Sequence, residues 1–175
     1  CLGWVARKYP DIVKEISSLG HEIGSHSNAH QLIDRHDRNF FRNDLEISIK
    51  SLEDITGKKV ISYRAPGFSL VEKTLWAFDE LVRQGIEYDC SIFLGNHSHG
   101  GRIKSFGLYP SVINIEGKKI KEFPVNSYKF LNKEVPFSGG GYFRLLPYQI
   151  IKRLMRISDY NMAYFHPRDF DKEQP

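Results

Sequence analysis

The sequence has few cysteines, no long apolar run and no concentration of charge of one sign. Only two of its 175 residues are cysteine, Cys1 and Cys90, which excludes a fold built on several disulfides. No apolar stretch approaches the roughly 20 residues that cross a bilayer, so the sequence predicts no transmembrane segment. Lys and Arg exceed Asp and Glu by 25 to 21 and are dispersed along the chain. This dispersion argues against a basic tail that binds nucleic acid or a membrane surface.

What is present has the composition of a globular domain. Hydrophobic residues make up 41% and charged residues 26%, and a chain of 175 residues predicts a single domain over residues 1–175. The chain opens on Cys1 without an initiator methionine or a signal-peptide pattern, as if inside a structured element. We therefore expect a fragment of a longer protein. The composition leaves the compartment open, whether cytoplasm, periplasm or cell envelope.

Helical and strand patterns alternate along the chain. Apolar spacing and Gly or Pro punctuation predict helices over 10–19, 38–56 and 74–84 and one that begins after Pro147. Strand patterns fall at 21–25, 60–63, 86–92, 112–115, 119–125 and 162–166, and residues 93–109 form a long Gly- and Ser-rich loop. The alternation predicts an α/β fold with a mostly parallel sheet. A closed barrel needs about seven or eight strands, so we expect the first strand to be missing.

Two histidines follow the first predicted strand directly. His26 and His30 lie four residues apart, and one helical turn there would let both imidazoles reach one ion at about 2.0–2.1 Å. For this spacing alone, the competing interpretation is a pair of solvated loop histidines. Their place at a strand's carboxyl end favours a site. Asp34 and Asp37 precede the next helix and are better explained as capping and solvated groups.

Polar groups also follow two other predicted strands. Arg64 leaves a buried strand and needs a carboxylate partner, while Pro66 fixes the turn and Gly67 lets the backbone approach a ligand. An ordinary turn with a surface arginine is the simpler explanation of this segment. His166 ends the last apolar run, where a lone histidine is more often structural than catalytic. Three such features at three strand ends favour a common site.

These residues occur in a known order. The sequence resembles the polysaccharide deacetylases (NodB-homology fold, carbohydrate esterase family four) over essentially its whole length. The resemblance rests on HSNAH at 26–30, RAPGF at 64–68, YDCS at 88–91 and FHP at 165–167. The segments at 138–147 and 171–175 are similar to a subfamily found with exopolysaccharide and protein-sorting (exosortase, PEP-CTERM) loci. The resemblance implies a distorted (β/α) barrel, here without its first strand.

The resemblance also implies a divalent metal, usually Zn²⁺, held by one Asp and two His. The two histidines correspond to His26 and His30. The metal Asp and the neighbouring base Asp belong to a TFDD motif on the first strand, and neither is present in this sequence. The chain departs from the subfamily around 96–100, where His97 or His99 could face a substrate, although a solvated loop is the simpler interpretation.

The remaining family residues correspond to four positions. Arg64 matches the arginine that orients the base, and Gly67 falls where a backbone N–H binds the oxyanion. His166 matches the histidine that protonates the leaving amine, and Asp89 falls in the motif whose acidic residue supports that histidine. A sugar polymer would also account for aromatic residues near the loops, such as Phe68, although these could equally be core.

The resemblance implies a hydrolase that removes N-acetyl groups from sugar residues of a polysaccharide through metal-activated water. In this interpretation the partner is an acetylated polysaccharide, with no nucleic acid and no membrane span, and residues 1–175 alone are inactive. A carbohydrate-binding protein on the same fold, without turnover, is the alternative from another class. A non-sugar amidase on the same barrel is a third.

Overall fold

A computed structural model of the chain describes residues 1–94, 103, 105–130 and 133–173. His97 and His99 lie outside this range, so their role stays a prediction. The helices are α1 (Gly3–Lys8), α2 (Pro10–Ser18), α3 (Arg38–Thr56), α4 (Ala77–Arg83), α5 (Gly140–Leu145) and α6 (Tyr148–Ile157). The strands are β1 (Ser62–Tyr63), β2 (Tyr88–Asp89), β3 (Ser111–Ile115), β4 (Lys118–Glu122), β5 (Ser127–Phe130) and β6 (Lys133–Pro136).

The central sheet is mostly parallel, as the alternation of patterns predicts. Its strand order is β1-β2-β4-β3, with β1, β2 and β4 parallel and the hairpin partner β3 antiparallel to β4. Ser25 extends the sheet on the other side of β1 through a parallel bridge to Tyr63. Strands β5 and β6 form a separate antiparallel hairpin. The α/β prediction is confirmed.

Helix α3 packs against α1 and α2, and local signals define both of its ends. The Asp37 carboxylate accepts a hydrogen bond from the Phe40 N–H, which satisfies an orphan donor of the first turn. Gly57 ends the helix in the left-handed region at φ +68°, which a side chain would disfavour. The buried face of α3, which includes Leu45 and Leu52, packs into the main hydrophobic core.

Several predicted strands are shorter than their sequence patterns. Residues 21–25 contribute only the bridge at Ser25, and β2 spans two residues of the predicted seven. The N–H groups of Glu87 and Tyr88 both donate to the carbonyl of Ile61, which breaks regular pairing before β2. The prediction of a buried strand over 162–166 is wrong, because a single bridge at Tyr164 remains and Phe165 is 40% exposed.

Within the described part of the chain, the helices are all too short or too polar to span a bilayer.

Candidate active site

The predicted site residues cluster at one edge of the sheet. Parallel strands place their carboxyl ends together, so the residues after Ser25, β1 and β2 meet at that edge. His26 follows Ser25, Arg64 follows β1, and Ser91 lies just beyond β2. The sheet topology thus brings together segments that are about 25 to 40 residues apart in the chain.

The imidazole of His26 is anchored to the Arg64 backbone. Its Nδ1 lies 2.7 Å from the Arg64 carbonyl oxygen, an acceptor, so Nδ1 carries the hydrogen and Nε2 offers a lone pair. Burial, together with the charges of neighbouring groups, lowers the pKa of His26 to about 4, and the ring is neutral at neutral pH. This is the tautomer that a metal ligand requires.

His30 lies beside His26, but not through a helical turn. The two ring centroids are 5.0 Å apart in an edge-on arrangement. Ser27 and His30 adopt positive φ values of 72° and 57°, and the Asp44 carboxylate on α3 accepts the N–H of Asn28 at 2.8 Å. The loop is therefore shaped by left-handed residues and by a contact to α3, which the spacing alone does not reveal.

The two imidazoles are candidate metal ligands. No group of three or more His, Cys, Asp or Glu side chains suited to a metal occurs among the described residues. The donor chemistry of His26 and His30 fits a divalent ion such as Zn²⁺, which binds neutral imidazole. A third protein ligand would have to come from outside the described residues.

Arg64 is half-buried at the centre of the site. Its Nε donates to the Cys90 carbonyl at 3.1 Å, and its guanidinium carbon lies 5.8 Å from the Phe68 ring centroid and 5.9 Å from that of Tyr164. Both distances permit cation–π attraction. Gly67 has a φ of +58°, so the turn after β1 uses the left-handed conformation for which glycine is suited.

Asp89 lies beneath this edge and is completely buried. Its carboxylate accepts hydrogen bonds from the Ser91 hydroxyl at 2.6 Å and from the Ser91 N–H at 3.1 Å. The Ser91 oxygen in turn accepts the Ala65 N–H at 2.8 Å. Asp89 is thus connected to the turn that carries Gly67.

His166 lies beside an aspartate that the sequence analysis missed. The His166 side chain is 47% exposed, and its Nδ1 is 3.5 Å from the Asp169 carboxylate. The Asp169 carboxylate also accepts the His166 N–H at 2.8 Å, and this contact lowers the pKa of Asp169. An Asp three residues after the residue that begins a Pro-led turn is a capping pattern that could have identified it. The His166 ring is 6.1 Å from that of Tyr164.

The glycine-rich segment at 139–141 packs against Tyr164. The Tyr164 ring lies 5.1 Å from that of Phe68. Gly139 forms a parallel bridge to Tyr164, and a Cβ built on it would lie 2.1 Å from the Tyr164 carbonyl oxygen. At Gly140 a Cβ would lie 3.0 Å from the Tyr164 hydroxyl, and φ is +55°. The two glycines therefore let the backbone approach Tyr164 more closely than a side chain would allow. Helix α5 begins within this segment, at Gly140.

Replacing Gly139 with alanine should destabilise the protein by about 1–3 kcal/mol or more, because the added methyl group meets backbone rather than a movable side chain. Gly141→Ala is the matched control, since a Cβ at Gly141 meets nothing within 4 Å and lies in α5. Helix propensity predicts that this control gains up to about 1 kcal/mol. Urea unfolding of the two variants measures both effects, and equal stabilities would contradict the close contact.

Two family models match consecutive parts of the chain. Residues 1–86 match the polysaccharide deacetylase family, and residues 90–175 match a domain of unknown function, DUF3473. His26, His30, Arg64 and Gly67 fall within the first match, and Asp89 falls between the two. No match was found among curated proteins.

Solved structures with the same fold include two deacetylase relatives. A candidate polysaccharide deacetylase from Mycobacterium smegmatis is 24% identical, with a TM-score of 0.58 over 71% of this chain and 38% of its own. A probable polysaccharide deacetylase from Pseudomonas aeruginosa PAO1 is 18% identical, with a TM-score of 0.52 over 71% of this chain and 37% of its own. A family 4 carbohydrate esterase from Streptomyces lividans, in complex with acetate, is 16% identical, with a TM-score of 0.45 over 51% of this chain and 44% of its own.

The first two likenesses establish the fold, that of the polysaccharide deacetylases. The chain spans less than two fifths of the length of each of these two structures.

Proposed function

We propose that this chain, whose residues 1–86 match the polysaccharide deacetylase family, carries part of the active site of a metal-dependent hydrolase that removes N-acetyl groups from a polysaccharide. One observation supports this most: His26 is held as a neutral imidazole by the Arg64 carbonyl, with His30 beside it at 5.0 Å. A solvated loop histidine in the place of His26 would have no such fixed backbone partner for its Nδ1. We also propose that the chain belongs to the deacetylase subfamily found with exopolysaccharide and exosortase loci. The DUF3473 match over residues 90–175 is consistent with this assignment.

His26 and His30 would hold the metal, which we propose to be Zn²⁺. A divalent ion bound there would polarise the amide carbonyl and increase the acidity of water. We propose that the third ligand and the general base are aspartates on a strand that leads into Cys1. The hydrogen bonds of Cys1 support this, because its amine donates to Gly24 and its carbonyl accepts from the His26 N–H. This is the pattern of a parallel neighbour to Ser25.

The remaining residues have separate roles in the proposal. Arg64, fixed by the Cys90 carbonyl and two aromatic rings, orients the base carboxylate through its remaining N–H donors. Gly67 presents its backbone N–H to the oxyanion that develops on the amide carbonyl. His166, half-exposed and paired with Asp169, holds the proton that the leaving amine needs.

The substrate surface of the proposal includes two aromatic residues. Phe68 and Tyr164 contact each other edge to face, and the Arg64 guanidinium carbon lies 5.8 Å and 5.9 Å from their ring centroids, on one side of the pair. Aromatic faces of this kind suit the apolar face of a sugar ring. The substrate class in this proposal is therefore an N-acetylated polysaccharide. His166, whose ring lies 6.1 Å from that of Tyr164, would face the acetamido group that reacts.

A carbohydrate-binding protein without turnover is the second candidate. It is favoured by one observation, that the described residues offer two imidazoles but no third metal ligand beside them. Such a protein would bind acetylated oligosaccharides and leave them unchanged. Two adjacent aspartates at the end of an upstream strand would favour the enzyme, and their absence would favour the binding protein.

Acetate release separates these functions. We expect a chain extended upstream through the preceding strand to bind zinc and release acetate from acetylated chito-oligosaccharides. Residues 1–175 alone should be inactive, since they lack both the carboxylate ligand and the base. The control is the extended chain with the proposed ligand aspartate replaced by alanine. Rapid turnover by residues 1–175 would show that the ligand and the base are misplaced.

A further inference from the structure

Two carboxyl groups are buried against each other below the site. Asp89 on β2 and Glu122 on β4 occupy paired positions of adjacent parallel strands, and both side chains are 0% exposed. Their neighbours include Ile92 and Ile120, which belong to the main core. Two negative charges in such surroundings would be costly, and Coulomb repulsion between them would add to the cost.

The hydrogen bonds around the pair differ between its two members. Asp89 accepts two hydrogen bonds from Ser91, and the positive charge of Arg64 also favours its ionised form. Glu122 Oε1 accepts the Ile92 N–H at 3.1 Å, whereas the buried Oε2 receives no hydrogen bond from the described residues. Two ionised carboxylates have no hydrogen to share. A single proton on Glu122 Oε2 would satisfy this atom by donation to Asp89.

We propose that Asp89 and Glu122 share one proton, which resides on Glu122, and that this pair is a positioning element for the turn that follows β1. The connection runs from the Glu122 hydroxyl to the Asp89 carboxylate, then to the Ser91 hydroxyl, which accepts the Ala65 N–H. Ala65 immediately precedes Pro66 and Gly67. The shared proton is inferred from the burial and hydrogen bonds of Asp89 and Glu122 alone. The effect of the pair on catalysis rests on the proposed function.

The titration behaviour of the pair agrees with this arrangement. Burial is the largest cause that raises the pKa of Glu122 far above its usual range, and the charge of Asp89 raises it further. Burial also raises the pKa of Asp89, but hydrogen bonds from Glu122 and Ser91 oppose that rise. The other titratable and charged groups that act on the pair are Tyr63, Arg64, Cys90 and Tyr160.

Infrared spectroscopy of the protein tests the proton directly. At neutral pH we expect the carbonyl stretch of a buried protonated carboxylic acid in the wild type and its loss in Glu122→Gln. Asp169→Asn is the control, since the hydrogen bond from the His166 N–H lowers the pKa of Asp169 and its carboxyl group is ionised at neutral pH. This substitution should leave the acid band unchanged. If the carbonyl stretch of the protonated carboxylic acid were identical in the wild type and Glu122→Gln, the proposal would be overturned, whatever the protein's activity.

The pH dependence of stability gives a second test. Glu122 has a raised pKa in the folded state, so its contribution is complete below about pH 4.5 and falls as the pH rises. Between about pH 5 and pH 8, the wild type should lose stability relative to Glu122→Gln by about tenfold in the unfolding constant per pH unit. Parallel pH profiles of the two proteins would contradict a shared proton.

Acetate release by the chain extended upstream through the preceding strand then tests positioning, with every substitution made in that chain. Glu122→Ala should lower kcat at least about tenfold with a smaller change in KM, and Glu122→Gln should restore most of it, because its amide can donate to Asp89. Ser91→Ala, which cuts the link to Ala65, should lower kcat while the acid band remains. If Ser91→Ala keeps wild-type kcat, the pair does not position the turn. If no variant, wild type included, releases acetate, the proposed function fails, and the infrared and stability results still decide the shared proton.

Discussion

Intact protein in which both His26 and His30 are replaced by alanine is expected to lose its zinc. His26 is preorganised for this role, because the hydrogen bond of Nδ1 to the Arg64 carbonyl fixes its tautomer at 2.7 Å. Removing even an outer-sphere partner of a metal ligand costs roughly 10–100-fold in affinity. Loss of two direct ligands should therefore reduce metal content to background in elemental analysis.

His21→Ala is the matched control for this experiment. His21 is exposed and lies before Ser25, away from the two imidazoles in sequence. Its replacement should leave both the metal content and the free energy of unfolding unchanged. Circular dichroism of the double variant separates loss of metal from loss of the fold. Zinc at wild-type stoichiometry in a folded double variant would refute the site.

Much of the fold could be predicted because its signals are local. The bounds of α3 follow from Asp37 at its start and Gly57 at its end, and the structure gives the predicted Arg38–Thr56. The hairpin of β3 and β4 follows from the turn at 116–117. The hairpin of β5 and β6 and the short α5 were missed. Three consecutive glycines weaken any helix pattern, and α5 is placed by the contacts of its first residues with Tyr164.

The sequence predicted individual residues of the candidate site better than the contacts between them. Strand ends identified His26 and Arg64, because parallel strands present their carboxyl ends at one edge. The strand predicted before His166 is reduced to the bridge at Tyr164, so that reason does not hold for His166. The sequence analysis missed Glu122, because four of the five residues of β4 are lysine or glutamate. This composition is typical of a solvent-exposed strand. The position of Glu122 two residues after the buried Ile120 is the signal that places it on the inner face. The partner Asp89 is 33 residues away and becomes visible only through the β2–β4 register.

Replacing Glu80 with glutamine is expected to cause a large loss of stability. The Glu80 side chain is 1% exposed and forms ion pairs with Arg38 at 2.5 Å, Arg42 at 2.8 Å and Arg83 at 3.0 Å. It thereby joins α3 to α4. Loss of a buried ion-pair partner commonly costs 3–5 kcal/mol, and because these arginines are partly exposed we expect about 2–3 kcal/mol.

The pH dependence of this loss identifies its cause. Hydrogen bonds from Arg42 and Arg38, opposed by burial, lower the pKa of Glu80 from 4.5 to about 2. The carboxylate's contribution is therefore complete above about pH 4.5 and is lost as the pH falls towards 2. The stability difference between the wild type and Glu80→Gln should shrink over this range in urea unfolding. Asp54→Asn, which breaks the exposed pair with Lys50, is the control and should change stability by less than about 1 kcal/mol. A difference for Glu80→Gln that stays constant down to about pH 2 would mean that side-chain packing, and not the charge of Glu80, joins α3 to α4.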